Sequence, residues 1–161
     1  MNSIQLVVPS AKYKETFCDY ALSYKDDDQE YYHKYEKALH NFDEYLSDLD
    51  TLARGNTSNY WLTDNDVVVG VVRIRHIADP YGGHIGYDIS PDHRRKGYGS
   101  QILSLALKKA AEEFDIHEAI VTCDPSNAGS KRIIEKNGGQ YVETLYDPED
   151  KEYDLKFIIK N

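Results

Sequence analysis

The chain has 161 residues, a formal net charge of −9 at pH 7 and 40% hydrophobic residues. This length and composition predict one globular domain over residues 1–161 with a core of its own. The negative charge argues against a nucleic acid as partner, because binding to phosphates needs a surplus of Lys and Arg. No apolar run reaches the ~20 residues of a membrane span and the N-terminus lacks a signal-peptide pattern, so no membrane partner is expected.

The cysteines indicate the compartment. Cys18 and Cys123 are far apart in sequence and lack the spacing of a metal site. Reduced thiols are typical of cytoplasmic proteins, and we therefore expect a cytoplasmic location. The aspartates at 26–28 would need further ligands nearby to bind a metal, so we interpret them as a solvated break between helices and expect no metal.

The first third of the chain is predicted to be one strand followed by helices. Residues 3–8 predict the strand, and Ser10 is a candidate N-cap for a helix whose apolar face carries Tyr13, Phe17, Tyr20 and Leu22. A second helical region, about 30–52, has apolar residues at alternating spacings of three and four, which predicts a buried face. Asn41 and Asp43 suggest that this region consists of two helices that meet near Phe42.

Strands dominate the rest of the chain, where alternating or short continuous apolar runs are bounded by turn residues. Two of them form a predicted hairpin, 60–63 with 67–77, joined by Asp64-Asn65-Asp66. Further strands are predicted at 82–90, 118–123, 140–146 and 153–159. Strands mixed with helices on both faces predict a mixed α/β sheet.

A basic turn that contains two glycines separates the strand at 82–90 from a helix that starts near Gly97. That helix is indicated by one apolar face, made of Leu103, Leu107, Ala110 and Phe114. The first N–H groups of a helix have no intrahelical partners, and the helix dipole adds a partial positive charge. Glycines at 97 and 99 let the backbone approach a bulky anion. Together with the three cations at 94–96, they predict an anion-binding turn that suits a pyrophosphate.

Two sequence blocks indicate which anion the turn suits. The P-loop string G-x-x-x-x-G-K-S/T does not occur, and Ile102 stands where the dinucleotide fingerprint requires its third glycine. The turn resembles motif A of the GNAT acyltransferase superfamily, Arg/Gln-x-x-Gly-x-Gly/Ala, through Arg94-Arg95-Lys96-Gly97-Tyr98-Gly99. A second block, Asn127-Ala128-Gly129-Ser130 followed by Glu135-Lys136-Asn137-Gly138, is similar to motif B of that superfamily. The fuller sequence resembles a branch of predicted acetyltransferases whose substrates are unassigned.

The resemblance implies a mostly antiparallel sheet of six to seven strands, splayed between the fourth (82–90) and fifth (118–123) strands, with acetyl-CoA as cosubstrate in the gap. It also implies three kinds of cofactor contact: backbone pairing with the pantetheine arm, amides around the pyrophosphate, and a hydrogen bond to the amide arm. Backbone pairing with the pantetheine arm is implied for Tyr87, Asp88 and Ile89. The turn around the pyrophosphate comprises Arg94, Arg95, Lys96, Gly97, Tyr98, Gly99 and Ser100. The hydrogen bond to the amide arm is implied for Asn127, with Ser130 one turn further on.

The sequence does not determine which residues act as acid and base in the acetyl transfer that the resemblance implies. Many relatives carry a tyrosine seven residues after the motif B asparagine, as acid for the departing thiolate, but Ile134 occupies that position here. Either Tyr98 or Tyr141 reaches the sulfur, or no protein acid is used. For the base, His84 and Asp88 share one strand face by alternation, unless a glycine bulge changes the register. His84 is the first candidate because its reference pKa lies close to neutral pH, Asp88 is the runner-up, and a structural role for the histidine is the alternative.

The function implied by the resemblance is acetyl-CoA-dependent N-acetylation of a primary amine on a small molecule or a peptide. Transfer is expected to be direct, in a ternary complex, because no histidine lies near Cys123 in sequence to activate it as a nucleophile. Two alternatives remain: a CoA-binding module without turnover, and an interaction protein whose basic turn is only a helix cap. The sequence does not indicate the acceptor and leaves a homodimer open; its acidity is compatible with a cationic substrate.

Overall fold

The computed structural model describes residues 3–161, and seven strands form one sheet in the order β1-β2-β3-β4-β5-β7-β6. The strand pairs are antiparallel. Helices cover both faces, so the predicted class, a mixed α/β fold with a mostly antiparallel sheet, is confirmed. The strands are β1 (Ile4–Val7), β2 (Thr57–Asp64), β3 (Val67–Asp79), β4 (Gly83–Ile89), β5 (Glu118–Cys123), β6 (Gln140–Asp147) and β7 (Glu152–Lys160).

Six α-helices and two short 3-10 turns are described in residues 3–161. The helices are α1 (Lys14–Leu22), α2 (Gln29–Tyr35), α3 (Lys37–His40), α4 (Phe42–Arg54), α5 (Tyr98–Phe114) and α6 (Ala128–Lys136). The 3-10 turns are Ala11–Tyr13, before α1, and Pro91–His93, between β4 and α5.

The sheet separates two cores, and alternate residues of β3 enter them. Val72 and Ile74 pack with α5 and with Ile134 of α6 on one face. Val71 packs with α1 to α4 on the other face, where the rings of Phe17 and Trp61 stack with centroids 4.1 Å apart. This two-sided burial follows from the period of two along a strand. It explains why β3 is apolar on both faces.

The sheet is splayed in its middle, as the resemblance implied. Within the described residues β4 pairs with β5 at a single position, Gly83 with Val121, whereas β5 pairs with β7 along its whole length. Gly83 has a φ of 70°, and a Cβ there would collide with the carbonyl oxygen of Ile120. Glycine is therefore required where the two strands approach.

Three predictions about the N-terminal helices need correction. Ser10 precedes the 3-10 turn, but its side chain makes no capping hydrogen bond. Leu22 was placed on the buried face and is 47% exposed, because it lies at the last position of α1. The region 30–52 is three helices rather than two, and its last break occurs at Asn41, whose side chain accepts a hydrogen bond from Glu44 N and caps α4.

The interpretation of 26–28 as a break agrees with the structure. These residues separate α1 from α2, and Asp28 caps α2 by accepting a hydrogen bond from Tyr31 N. In the part of the chain that is described, no three His, Cys, Asp or Glu side chains are grouped as a metal would need. Nor does that part contain a helix of the length and apolarity that a bilayer crossing requires.

Candidate cofactor and acceptor clefts

The N-terminus of α5 is open. Gly97 occupies the N-cap position with a φ of 84°, and no side chain caps the helix. Gln101 N donates to Gly97 O, so the amides of Tyr98, Gly99 and Ser100 lie ahead of the first helical hydrogen bond. A Cβ placed on Gly97 would meet no atom within 4 Å. These amides, at the positive end of a 17-residue helix, fit a phosphate anion.

This turn lines a cleft of about 630 Å³, which we call the cofactor cleft. Every residue that the sequence assigned to the cofactor lines it except Lys96, so motif A and motif B face one space. Arg132 and Lys136 of α6 add cations that the sequence interpretation missed. The lining residues are Asp28, Tyr31, Tyr87, Asp88, Ile89, His93, Arg94, Arg95, Gly97, Tyr98, Gly99, Ser100, Asn127, Gly129, Ser130, Arg132, Ile133 and Lys136.

Arg94 has structural partners outside the turn. Its Nε donates to Ile89 O at 3.3 Å, and its Nη2 lies 3.2 Å from Oδ2 of Asp27. Its guanidinium also lies over the Tyr24 ring, 6.0 Å from the centroid. Arg94 thus joins the turn to the α1–α2 connection. Arg95 also lines the cofactor cleft, whereas Lys96 does not.

Asn127 and Ser130 lie at the start of α6. Oδ1 of Asn127 accepts a hydrogen bond from Ser130 N at 3.0 Å, which caps the helix and leaves the Asn127 side-chain amide as a donor. Oγ of Ser130 lies 3.3 Å from the hydroxyl of Tyr87 on β4. The contact joins the two elements that flank the splay on the cofactor side.

A second cleft of about 450 Å³ adjoins the first, and we call it the acceptor cleft. The two clefts share Tyr31, Tyr87, Asn127 and Ser130. One part of its lining, which we call the acidic wall, consists of carboxylates from the end of β5 and from the β6–β7 hairpin. The acidic wall comprises Asp124, Asp147, Asp150, Glu152 and Asp154.

Two carboxylates of the acidic wall, Asp124 and Asp147, accept hydrogen bonds from residues two or three positions further along the chain. None of the carboxylates of the acidic wall forms an ion pair with another described residue. Burial, together with the charge of Asp124 and Glu152, raises the pKa of Asp154. Carboxylates that repel one another gain from a nearby cation. The wall therefore suits an ammonium group.

Cations also line the acceptor cleft: Lys34, Arg73 and Arg75. Two of them have protein partners, because Arg73 pairs with Asp88 and Arg75 Nη1 donates to the carbonyl oxygens of Gly82 and Gly83. Burial and the charge of Arg73 lower the pKa of Lys34. The cleft thus has both cations and carboxylates in its lining, and Glu30 and Asp79 add to the carboxylates of the acidic wall.

The side chain of Asp88 is buried in a cluster of tyrosines. Its Oδ1 accepts from the Tyr35 hydroxyl at 2.6 Å and from Arg73 Nη1 at 3.1 Å. Its Oδ2 accepts from the hydroxyls of Tyr20 at 2.7 Å and Tyr24 at 2.8 Å. These donors use the roughly four lone-pair sites of a carboxylate. Asp88 therefore has no site left for a substrate proton, and we do not propose it as the base.

The cluster also affects the protonation of the tyrosines that surround Asp88. Burial and the negative charge of Asp88 raise the pKa of Tyr20, Tyr24 and Tyr35. They remain protonated donors at neutral pH. The sequence interpretation missed the cluster, although the spacing of four between Tyr31 and Tyr35 places this pair on one face of α2.

His84 lies outside both clefts. Its Nδ1 accepts a hydrogen bond from Ile120 N at 2.9 Å. The His84 ring thus takes the place that a β4 carbonyl oxygen would have in a regular strand pair with β5. Burial lowers the pKa of His84. With Nδ1 engaged, the neutral ring carries its proton on Nε2 and has no free lone pair. The geometry favours the structural alternative, and we do not propose His84 as the base.

The three positions considered for the acid lie away from the junction of the clefts. Ile134 is fully buried in the core on the α5 side. The Tyr98 hydroxyl donates to Oδ2 of Asp64 at 2.5 Å. Tyr141 lines neither cleft and is 57% exposed. Tyr31 and Tyr87, which line both clefts, are the tyrosines at the junction.

The splayed sheet and the open helix terminus define a class of anion-binding α/β domains, and comparison with known proteins identifies the family. The family described as "Acetyltransferase (GNAT) domain" matches residues 11–140. The chain therefore belongs to the GNAT acetyltransferase family.

One curated relative, an N-acetyltransferase of Bacillus subtilis (strain 168) called YnaD and described as uncharacterized, is 30% identical over 77 residues. The aligned segment covers 48% of this chain and only 45% of YnaD.

Solved structures share the fold at low identity. RimJ of Mycobacterium smegmatis, in complex with CoA-disulfide, has a TM-score of 0.78 at 15% identity, covering 98% of this chain and 81% of its own. A RimL ribosomal protein acetyltransferase with coenzyme A has a TM-score of 0.75 at 18% identity, covering 99% and 95%. The microcin C7 self-immunity acetyltransferase MccE, with acetyl-CoA and AMP, has a TM-score of 0.76 at 13% identity, covering 100% and 94%.

Proposed function

We propose that the protein is an acetyl-CoA-dependent N-acetyltransferase that acts in the cytoplasm as a single domain. The observation that carries this proposal is the junction of the two clefts at Tyr87, Asn127 and Ser130. One cleft contains the open N-terminus of α5, which suits the pyrophosphate of acetyl-CoA. The other leads away from the same point and offers space for an acceptor.

The acceptor is a primary amine of a small molecule or peptide, and the acidic wall favours one that carries positive charge. Carboxylates raise the local concentration of an ammonium ion. They can also receive its proton through water, so that the neutral amine reaches the thioester. This route needs neither His84 nor Asp88, whose lone pairs are already engaged within the protein.

Transfer is direct, in a ternary complex. Cofactor and acceptor would meet at the shared residues, and holding two reactants in this way can lower a barrier by several kcal/mol. The amides at the start of α5 would bind the pyrophosphate, and the side-chain amide of Asn127 would donate to the amide arm. The backbone of Tyr87, Asp88 and Ile89 would align the pantetheine arm in the splay.

Two measurements test this function. Isothermal titration with acetyl-CoA tests the cofactor cleft, and we expect saturable binding to one site. A free-thiol assay with polyamine, neutral primary amine and amino-acid acceptors then tests transfer, with mass spectrometry of the product. We expect thiol release that depends on the acceptor and is fastest for polycationic amines.

The two measurements also separate the alternatives. Tight acetyl-CoA binding without thiol release with any acceptor would favour a CoA-binding module. An absence of acetyl-CoA binding would contradict the hypothesis of an acetyl-CoA-dependent enzyme and would favour an interaction protein.

A further inference from the structure

The clefts meet at a small set of hydroxyl groups. Among the described residues that line both clefts, Tyr31, Tyr87 and Ser130 carry one, and Asn127 carries an amide. In the proposed transfer the thioester must lie where cofactor and acceptor meet. Its sulfur would then lie near these hydroxyl groups, whereas Tyr98 lines only the cofactor cleft and Tyr141 lines neither cleft.

Tyr87 and Ser130 act as a pair. The Tyr87 hydroxyl lies 3.3 Å from Ser130 Oγ, and the Tyr87 ring packs against the core beneath the sheet. Ser130 is held in turn by the capping bond from its amide to Asn127. Burial raises the pKa of Tyr87, so its phenol is a proton donor throughout the neutral range. The pair is positioned from two elements on opposite sides of the splay.

We propose that Tyr87, with Ser130 as its hydrogen-bond partner, donates the proton that the departing thiolate needs. The proposal rests on the acetyl transfer proposed above. As the bond between the acetyl carbon and sulfur breaks, its electron pair goes to sulfur, and the phenolic proton goes to the same atom to give the free thiol. The phenolate then regains a proton from water through the Ser130 hydroxyl. The amine loses one proton on the acceptor side, so the overall reaction is balanced.

The geometry separates Tyr87 from the other tyrosines. Tyr98 donates to Asp64, and Tyr141 is outside the clefts. Tyr31 also lines the junction, but it belongs to α2 and its ring stacks on Tyr24, with centroids 5.2 Å apart. Tyr87 instead belongs to β4, the strand whose backbone flanks the splay. Tyr31 is the competing candidate that the experiment must address.

The experiment uses Tyr87→Phe, Ser130→Ala, Tyr31→Phe and, as matched control, Tyr141→Phe. Initial rates of thiol release are measured against pH with the fastest acceptor, and acetyl-CoA affinity and melting temperature are measured for each variant. Tyr87→Phe removes one oxygen and leaves the packed ring in place. We expect its kcat to fall about 100-fold or more, with acetyl-CoA affinity and melting temperature close to wild type and the basic limb of its pH–rate profile lost.

A second substitution tests the proton itself. Incorporation of 3-fluorotyrosine at position 87 keeps the hydroxyl and lowers its pKa, and should move the basic limb of the pH–rate profile to lower pH. A structural role for Tyr87 would not move that limb. We expect Ser130→Ala to lower kcat less than Tyr87→Phe does, because water can replace the serine.

Each outcome decides the proposal. If Tyr87→Phe keeps its kcat and its basic limb while the wild type turns over, the acid is another group, and the same changes in Tyr31→Phe would assign it to Tyr31. If the wild type releases no thiol with any acceptor, the proposed function fails and the role of Tyr87 fails with it.

Discussion

The hydroxyl of Tyr35 donates a 2.6 Å hydrogen bond to Oδ1 of Asp88, and this contact ties helix α2 to β4. The same hydroxyl accepts from Arg73 Nη1 at 3.0 Å. Asp88, 7% exposed, depends on such donors, because a buried carboxylate without partners is costly. The position of the N-terminal helices is therefore tied to the strand that lines the cofactor cleft.

Removal of this donor should destabilise the fold. Tyr35→Phe leaves Oδ1 of Asp88 with Arg73 alone, and we expect the free energy of unfolding to fall by about 1–3 kcal/mol. Urea denaturation monitored by circular dichroism measures it. Tyr141→Phe, at an exposed position, should change it by less than about 0.5 kcal/mol. Equal stability of Tyr35→Phe and wild type would mean that the cluster contributes nothing to stability.

A negative charge at the α5 turn should prevent cofactor binding. Gly99→Glu adds bulk and negative charge beside the free amides of the α5 turn. We expect acetyl-CoA affinity to fall at least about 100-fold, which corresponds to the loss of one or two charge-assisted hydrogen bonds. The new Cβ would lie 2.7 Å from Ile133 Cδ1, the end of a flexible side chain, so the fold should survive.

Isothermal titration and melting temperature check this prediction. Gly99→Ala adds the same Cβ without the charge, and it should weaken binding less than Gly99→Glu. A glutamate variant with near-normal affinity would contradict the anion site.

His84 should prove structural. In His84→Gln the side-chain oxygen can accept the amide of Ile120, so we expect kcat to stay within about threefold of wild type, whereas loss of a general base costs about 10²–10⁴-fold. His84→Ala leaves that amide unpaired and should lower stability by about 1–3 kcal/mol. A Gln variant that lost both its rate and the acidic limb of its pH–rate profile would restore His84 as the base.

Cys123 should not form an acetyl intermediate. It is 7% exposed, and burial with the charge of Asp124 raises its pKa, so the thiolate is scarce at neutral pH. We expect Cys123→Ala to keep most activity and initial-rate plots against both substrates to intersect. Parallel lines together with an inactive alanine variant would indicate a covalent route instead.

The negative charge of Asp154 should favour acceptor binding and should lower the stability of the folded protein. Because the folded protein raises its pKa, the folded state holds the Asp154 proton more tightly than the unfolded state, and stability falls as the pH rises above the unfolded pKa. Asp154→Asn should therefore raise the melting temperature at pH 7 and leave it nearly unchanged at acid pH. It should also raise KM for a polycationic amine severalfold, with a smaller effect on a neutral amine. A lower melting temperature at pH 7 would contradict this electrostatic account.

Local patterns predicted the elements that tertiary contacts do not alter. The strand Glu118–Cys123 was found at its observed bounds, because a run this short that contains Ile, Val and Thr favours a strand over a helix. The motif A turn was placed correctly because glycines and a following apolar helix face specify it. In contrast, no strong sequence pattern indicates the boundary between α2 and α3, because Glu36 and Lys37 both favour a helix.

The candidate site was only partly predictable for a physical reason. Alternation put His84 and Asp88 on one strand face, but what covers Asp88 depends on residues far away in sequence. It proved to be tyrosines of α1, α2 and the turn between them. The acidic wall joins Asp124 with carboxylates from a hairpin that begins after α6. The pairing of β5 with β7, and of β7 with β6, brings them together.

The single residue pair between β4 and β5 has a consequence for how the protein unfolds. The sheet is nearly two sheets, β1 to β4 and β5-β7-β6, whose backbones pair at Gly83 and Val121. The hydrogen bond from Ile120 N to His84 and the packing of α5 and α6 connect them further. Such a boundary can separate two cooperative units that open independently. A ligand whose own amides pair across the splay would join these units, so hydrogen exchange along β4 and β5 would slow together when it binds.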